Sequence, residues 1–260
     1  MLISKKNLER TTHLLADISA LLIGSGSNTR RALRNVERIA NALGYHSEIF
    51  HSYSGVILTV YDKTTQEKET LVLTIPHHGV NFNAISAISI LSWQAIEQKL
   101  SIDDIEKEVA FIKKQPHYNM VLMWFFTAIA GGSLAYIFGG NNGSYIEFGI
   151  SFLATFAGIS ARKLLQIKHF NHFICWAWAA FVSVSVVNIF RMLEVEPINN
   201  ALAACVLWLV PGVPLINGFI DLLTGHVVSG WAKISTTGIL VFMIAIGFYL
   251  SLILFGYELL

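Results

Sequence analysis

Residues 209–217 read Leu209-Val210-Pro211-Gly212-Val213-Pro214-Leu215-Ile216-Asn217, two prolines and a glycine inside an apolar run. Neither Pro211 nor Pro214 has a backbone N–H to give, and each ring obstructs the preceding turn, so a helix must break here. The carbonyls left without donors, expected near Leu207 and Val210, suit a cation or a donor group. The helix that restarts after the break offers orphan N–H groups and a partial positive charge to an anion. Asn217, in its first turn, both donates and accepts. Asp221 lies four residues further on, on the same helix face, and brings an ionisable group. An Asp at the centre of a membrane span costs about 2.5–3.5 kcal/mol, so such acids face an interior. Pro211, Gly212, Pro214, Asn217 and Asp221 are therefore the candidate binding site for a small polar solute. The competing reading is a passive kink, with Asp221 solvated at the end of its span.

Three more polar residues, Thr155, Ser185 and Asn188, sit in apolar stretches and suit either a pathway lining or hydrogen bonds between helices. Small residues four apart, Ala128/Gly132 and Ala154/Gly158, favour close helix packing. His77-His78 and His169/His172 lack Cys, Asp or Glu at ligand spacing, so neither a metal nor another cofactor is expected. Gly24-Ser25-Gly26-Ser27 lacks the strand and the Lys of a phosphate loop.

The elements that must position these residues follow from composition. Hydrophobic residues make up 54% of the 260 residues and charged residues 13%, with a mean hydropathy of +0.56. Residues 1–118 hold 13 Lys/Arg and 12 Asp/Glu, whereas residues 119–260 hold 5 of each. The first part has the chemistry of a soluble domain and the second that of a membrane bundle. A net charge of +1 leaves no nucleic-acid footprint. Cys175 and Cys205 form no CxxC pattern and read as small buried hydrophobes.

In residues 1–116 the pattern predicts a helix over 5–23, with Leu8, Thr11, Leu15, Ile18 and Leu22 on one face. A second helix, about 29–43, carries Arg30, Arg31, Arg34 and Arg38, either an anion patch or a solvated face. Strands are expected at 46–51, 55–61 and 70–75, the last two as a hairpin. Helices at 82–98 and, behind a capping box at Ser101, to about 115 complete an α+β domain closed by Pro116.

Residues 117–260 read as an all-α membrane bundle of five transmembrane helices, at about 120–138, 145–161, 170–190, 201–223 and 234–255, the fourth broken at Pro211–Pro214. Lys113 and Lys114, then Arg162, Lys163 and Lys168, then Lys233 fall on one side of that bundle. The charge rule makes this side cytoplasmic, with the N-terminus inside and Leu260 outside. The charged start, Met1 to Arg10, lacks the apolar core of a signal peptide, so the first domain is expected to stay in the cytoplasm.

Two stretches resemble the threonine/serine exporter family. One is Leu21-Leu22-Ile23-Gly24-Ser25-Gly26-Ser27-Asn28-Thr29-Arg30-Arg31 with Val36-Glu37-Arg38-Ile39-Ala40 and Leu43-Gly44; the other is residues 209–218 with Asp221-Leu222-Leu223 and Gly225-His226. The resemblance implies efflux of small polar metabolites (threonine and serine, or dicarboxylates such as succinate) coupled to the proton motive force. Full-length members carry a second hydrophobic half, which this chain lacks, so the resemblance also implies a separate small membrane subunit and an oligomer. Pro211, Gly212, Pro214, Asn217 and Asp221 match the motif as candidate substrate-binding residues.

The expectation is one component of an inner-membrane exporter, in contact with the lipid bilayer, a small-molecule substrate and a second subunit. It is not an enzyme and has no catalytic residues: the core of the spans offers Asp221 as an acid and no embedded Ser–His pair. The rival reading is a membrane receptor or scaffold whose cytoplasmic domain binds a ligand or partner without transport.

Overall fold

The computed structural model describes residues 2–75, 79–115 and 119–256. His77, His78 and Pro116, and Leu260 with its predicted outside location, lie outside the described residues. The chain divides into two compact units: residues 1–116 with 212–235, and residues 117–211 with 236–260. Residues 212–235 group with the first unit.

In the first unit the element order is α1 (Leu2–Gly24), α2 (Thr29–Ala42), β1 (Tyr45–His51), β2 (Gly55–Asp62), β3 (Lys68–Thr74), α3 (Phe82–Glu97) and α4 (Ile102–Lys114). The predicted α-α-β-β-β-α-α order is present, with ends shifted by one or two residues at most strands. Helix α1 is its centre, and Leu8, Leu15, Ile18 and Leu22 are buried on the face the spacing predicts. The strands form an antiparallel meander, β1-β2-β3. Alternation on β2 turns Val56, Leu58 and Val60 inward.

Local chemistry sets the helix ends. Asn28 caps α2, its side chain accepting from Arg31 N at 2.8 Å. Gly44 closes α2 in the left-handed region, at φ +87°. Ser101 and Asp104 form the capping box of α4. The arginine face of α2 is divided. Arg31 donates to Ser89 and Arg38 to Ser92, with Arg38 also over the Trp93 ring, whereas Arg30 and Arg34 are exposed.

The second unit holds α5 (Met120–Phe138), α6 (Tyr145–Ile167), α7 (His172–Met192), the short α8 (Asn199–Ala204) and a 3-10 turn at Leu207–Leu209. Helix α9 (Gly212–Leu223) belongs to the first unit, and α10 (Val227–Leu254) begins in the first and ends in the second. Among the described residues four helices, α5, α6, α7 and α10, are long and apolar enough to cross a membrane; the bent pair 199–209 and 212–223 makes a fifth if counted as one span.

Two sequence expectations change here. Helix α6 runs to Ile167, so Arg162 and Lys163 lie on the helix and not in the loop after it. Helix α10 starts at Val227, so Lys233 sits within a helix and is buried. Hydropathy ends a span at the first charge, whereas a helix continues while its backbone bonds are made.

Glycines allow the membrane-type helices to approach closely. A Cβ on Gly131 would come within 2.3 Å of Thr155 Oγ1, one on Gly132 within 2.7 Å of the Phe148 carbonyl, and one on Gly158 within 2.0 Å of Ser183 Oγ. The predicted small-residue faces thus pack tightly.

Candidate functional site

The break is longer than two half-helices meeting at a kink. Helix α8 stops at Ala204, a turn and the 3-10 segment follow, and α9 begins at Gly212. The Leu207 carbonyl is not freed: it accepts from Val210 N at 3.1 Å. Four residues after Val210 stands Pro214, which has no N–H to return; among the described residues no backbone N–H meets the Val210 carbonyl. Pro214 falls in the first turn of α9, where a missing donor is tolerated. Pro211 lies in the second unit, and Gly212 and Pro214 in the first.

Asn217 and Asp221 do share a face, and that face meets the loop between α1 and α2. Four successive loop carbonyls each accept from a different donor. Gly24 O takes Gly79 N at 2.9 Å and Ser25 O takes Asn81 N at 3.0 Å. Gly26 O takes Asn217 Nδ2 at 2.7 Å, and Ser27 O takes Lys233 Nζ at 3.3 Å. Gly26 is required here, because its φ is +87° and a Cβ would meet the Gly79 carbonyl at 3.3 Å.

The Asp221 carboxylate lies just beyond, at the N-terminus of α2. Its Oδ1 accepts from Thr29 N at 2.8 Å. Its Oδ2 accepts from Thr29 Oγ1 at 2.8 Å, Ser229 Oγ at 3.1 Å and Lys233 Nζ at 2.7 Å. Asp221, Thr29, Ser229 and Lys233 are all buried. The carboxylate therefore acts as a second, tertiary cap on α2, with a buried ammonium as counter-charge. Asp221 is not solvated, and neither of its oxygens is without a donor.

Helix α9 and the start of α10 form a tight hairpin. A Schellman end closes α9: His226 N bonds Asp221 O and Gly225 N bonds Leu222 O, with Gly225 at φ +85°. Gly218 and Gly230 then let the two helices touch, since a Cβ on Gly230 would lie 2.9 Å from the Gly218 carbonyl. Asp221, Ser229 and Lys233 of the hairpin are buried, whereas its apolar residues Ile216, Phe219, Leu223, Val227 and Trp231 are exposed.

His51, at the end of β1, belongs to the same unit. It is buried, with Nε2 2.6 Å from Ser19 Oγ and no partner for Nδ1. Burial pushes its pKa down to about 4, helped by Lys233 and His226 and opposed by Asp221.

Thr155, Ser185 and Asn188 all lie in the second unit. Ser185 Oγ is 2.9 Å from Ser251 Oγ, which also accepts from Asn188 Nδ2 at 3.4 Å. Thr155 Oγ1 and Asn188 Oδ1 are buried without a hydrogen-bond partner.

The sequence reading passed over Glu147. It lies in the first turn of α6, inside the second apolar span, and is fully buried. Its carboxylate accepts from Asn200 N and Asn200 Nδ2, both at 2.8 Å. No Lys, Arg or His comes within ion-pair distance of it among the described residues. The signal that could have found it is an acid within an apolar window. So Asp221 is not alone as a buried acid in the apolar part of the chain.

The model of the threonine/serine exporter family (ThrE) matches residues 13–255. The chain belongs to the threonine/serine exporter family. Two relatives are similar nearly end to end. A Klebsiella aerogenes protein named probable succinate transporter subunit YjjP is 27% identical over 259 residues, 97% of this chain and 96% of the relative. The Escherichia coli K12 protein of the same name is 26% identical over 254 residues, 94% of each. No solved structure matches. The exporter family and the apolar helices make this chain a multi-pass membrane protein of transporter type.

Proposed function

We propose that this chain is one subunit of an inner-membrane secondary exporter for small dicarboxylates of the succinate class, coupled to the proton motive force. A second, small membrane subunit completes the pathway. The observation that carries this reading is the end-to-end similarity to two proteins named as succinate transporter subunits. The Lys and Arg placement favours a cytoplasmic first unit. Buried polar atoms in the second unit, on Thr155, Ser183 and Asn188, supply groups that a solute pathway needs. Pro211, Gly212 and Pro214 would shape the entry to the fourth span. Asn217 and Asp221, tied to the loop at residues 24–29, would hold that entry in place.

Counterflow in vesicles tests it. The chain, reconstituted with the proposed small membrane subunit, should exchange labelled succinate faster than labelled threonine or serine. A preference for the amino acids would move the substrate class, and no counterflow of any of the three would end the exporter reading.

A further inference from the structure

Within the second unit, one face of α6 carries Thr155, Gly158 and Arg162 at helical spacing. The facing stripe of α7 carries Trp176, Ala179 and Ser183. Gly158 joins the two stripes: its Cα side meets Ser183 Oγ, the Ala179 carbonyl and the edge of the Trp208 ring. Trp208 comes from the 3-10 turn that precedes the break.

Arg162 is bracketed by the two indoles. Its Cζ lies 5.2 Å from the Trp176 ring centroid and 5.0 Å from that of Trp208. Cation–π contact of this kind takes up none of the guanidinium N–H donors. Among the described residues no carboxylate pairs with Arg162, and it makes no hydrogen bond. A partly buried cation near the end of a membrane-type helix, without a counter-charge, asks for one.

The neighbouring polar groups ask for the same thing. Trp176 Nε1, Trp208 Nε1, Ser183 Oγ and Thr155 Oγ1 are buried and make no hydrogen bond. Indole N–H groups only donate, and hydroxyls can donate. A guanidinium fork, two indole donors and two hydroxyls have a planar anion as their shared complement. A pocket of about 400 Å³, within the usual range for small-ligand sites, reaches this group at Trp208 and is lined also by Thr127, Gly131 and Leu207. Gly131 in turn backs onto Thr155 Oγ1.

We propose that Arg162, held between Trp176 and Trp208, binds a carboxylate of the transported acid, with the indole N–H groups and the Ser183 and Thr155 hydroxyls as further donors. This rests on the exporter reading and gives it a substrate site. It places recognition in the second unit, not at Asp221, whose oxygens already have donors. A carboxylate is common to dicarboxylates and amino acids, so the site alone fixes the shared chemistry.

The test is binding to the purified chain with its partner subunit, followed by tryptophan fluorescence and by calorimetry. Succinate, butyrate and threonine are the probes. Succinate should bind and perturb the fluorescence. Arg162→Gln should weaken it by about 100-fold and Arg162→Lys, which keeps the charge but loses the fork, by about 10-fold. If Arg162→Gln does not fold, the double variant Trp176→Phe, Trp208→Phe decides, because it removes both N–H donors and keeps ring volume; about 10-fold weaker binding is expected. Butyrate binding as tightly as succinate assigns the site to one carboxylate, and threonine binding best assigns that carboxylate to an amino acid; both results keep Arg162 as the anchor. Wild-type affinity in Arg162→Gln, or in the double variant where that one is unfolded, overturns the site while the exporter reading stands. No binding of any probe to the wild-type assembly overturns both.

Discussion

Asp221 and Lys233 form a buried ion pair, Oδ2 to Nζ at 2.7 Å, across the α9–α10 hairpin. The same carboxylate caps α2 through Thr29, 192 positions earlier in the chain. The two sequence stretches that carry the family resemblance are thereby one structural feature. Residues 24–29 supply carbonyls and a helix N-terminus; Asn217, Asp221 and Lys233 supply the matching donor, anion and cation.

Removing one member of the pair should be costly. Asp221→Asn leaves the Lys233 ammonium buried without its counter-charge, and Lys233→Met does the reverse. Each should destabilise the chain by about 3–5 kcal/mol, and the double variant by much less than the two together. Asn217→Ala, which loses one bond to the Gly26 carbonyl, should cost about 1 kcal/mol. Urea unfolding in mild detergent reads all four. Full stability in Asp221→Asn would mean that the pair contributes nothing to the fold.

A second prediction is a pH dependence centred on His51. Its folded pKa of about 4 lies below the ordinary 6.5. Between these values the unfolded chain binds more protons, so the contribution is complete above pH 6.5 and declines as pH falls toward 4. The full loss is on the order of 3 kcal/mol. His51→Gln keeps a partner for Ser19 and does not titrate, so its stability should fall less between pH 7 and pH 4.5. Equal slopes for the two proteins would remove His51 as the cause.

Much of this fold is legible in the sequence, because the governing signals are local. The period-two pattern of Val56, Leu58 and Val60 marks β2, and the Ser101 to Asp104 spacing marks the start of α4. The four-residue spacing puts Asn217 and Asp221 on one face. Partners were not legible, because they are set by tertiary contact between distant segments. Lys233 reads as a loop charge until α10 is seen to begin at Val227, and Arg162 until α6 is seen to run to Ile167. Glu147 is hidden by its position at the edge of an apolar window, although it is fully buried and accepts two hydrogen bonds from Asn200.

Glycines in the second unit give a third prediction. A Cβ on Gly247 would lie 2.0 Å from the Ala177 carbonyl, and backbone cannot rotate aside. Gly247→Ala should therefore destabilise the chain by about 1–3 kcal/mol. Gly149 faces open space. Gly149→Ala should be neutral or stabilising by up to about 1 kcal/mol through helix propensity. Thermal unfolding of the two variants side by side gives the sign; the reverse order would mean that α7 and α10 do not meet at this glycine.

The last prediction separates structure from coupling at Glu147. Its two oxygens accept from Asn200 N and Asn200 Nδ2. Glu147→Ala leaves both half-buried Asn200 donors without this acceptor, which should cost about 1–3 kcal/mol. Glu147→Gln keeps one acceptor for Asn200 N, and its new amide is matched if the Asn200 amide turns over to present Oδ1. The Gln variant should therefore fold nearly as well as the parent, yet it cannot exchange a proton. If proton coupling passes through this acid, Glu147→Gln should retain succinate counterflow, which needs no net proton movement, and lose uphill transport driven by a pH gradient. Asp221→Asn should not show that split, because its carboxylate is tied to Lys233 and its loss acts first on stability. Uphill transport preserved in Glu147→Gln would leave Glu147 as a structural acceptor for α8 and send the search for the coupling group to the partner subunit.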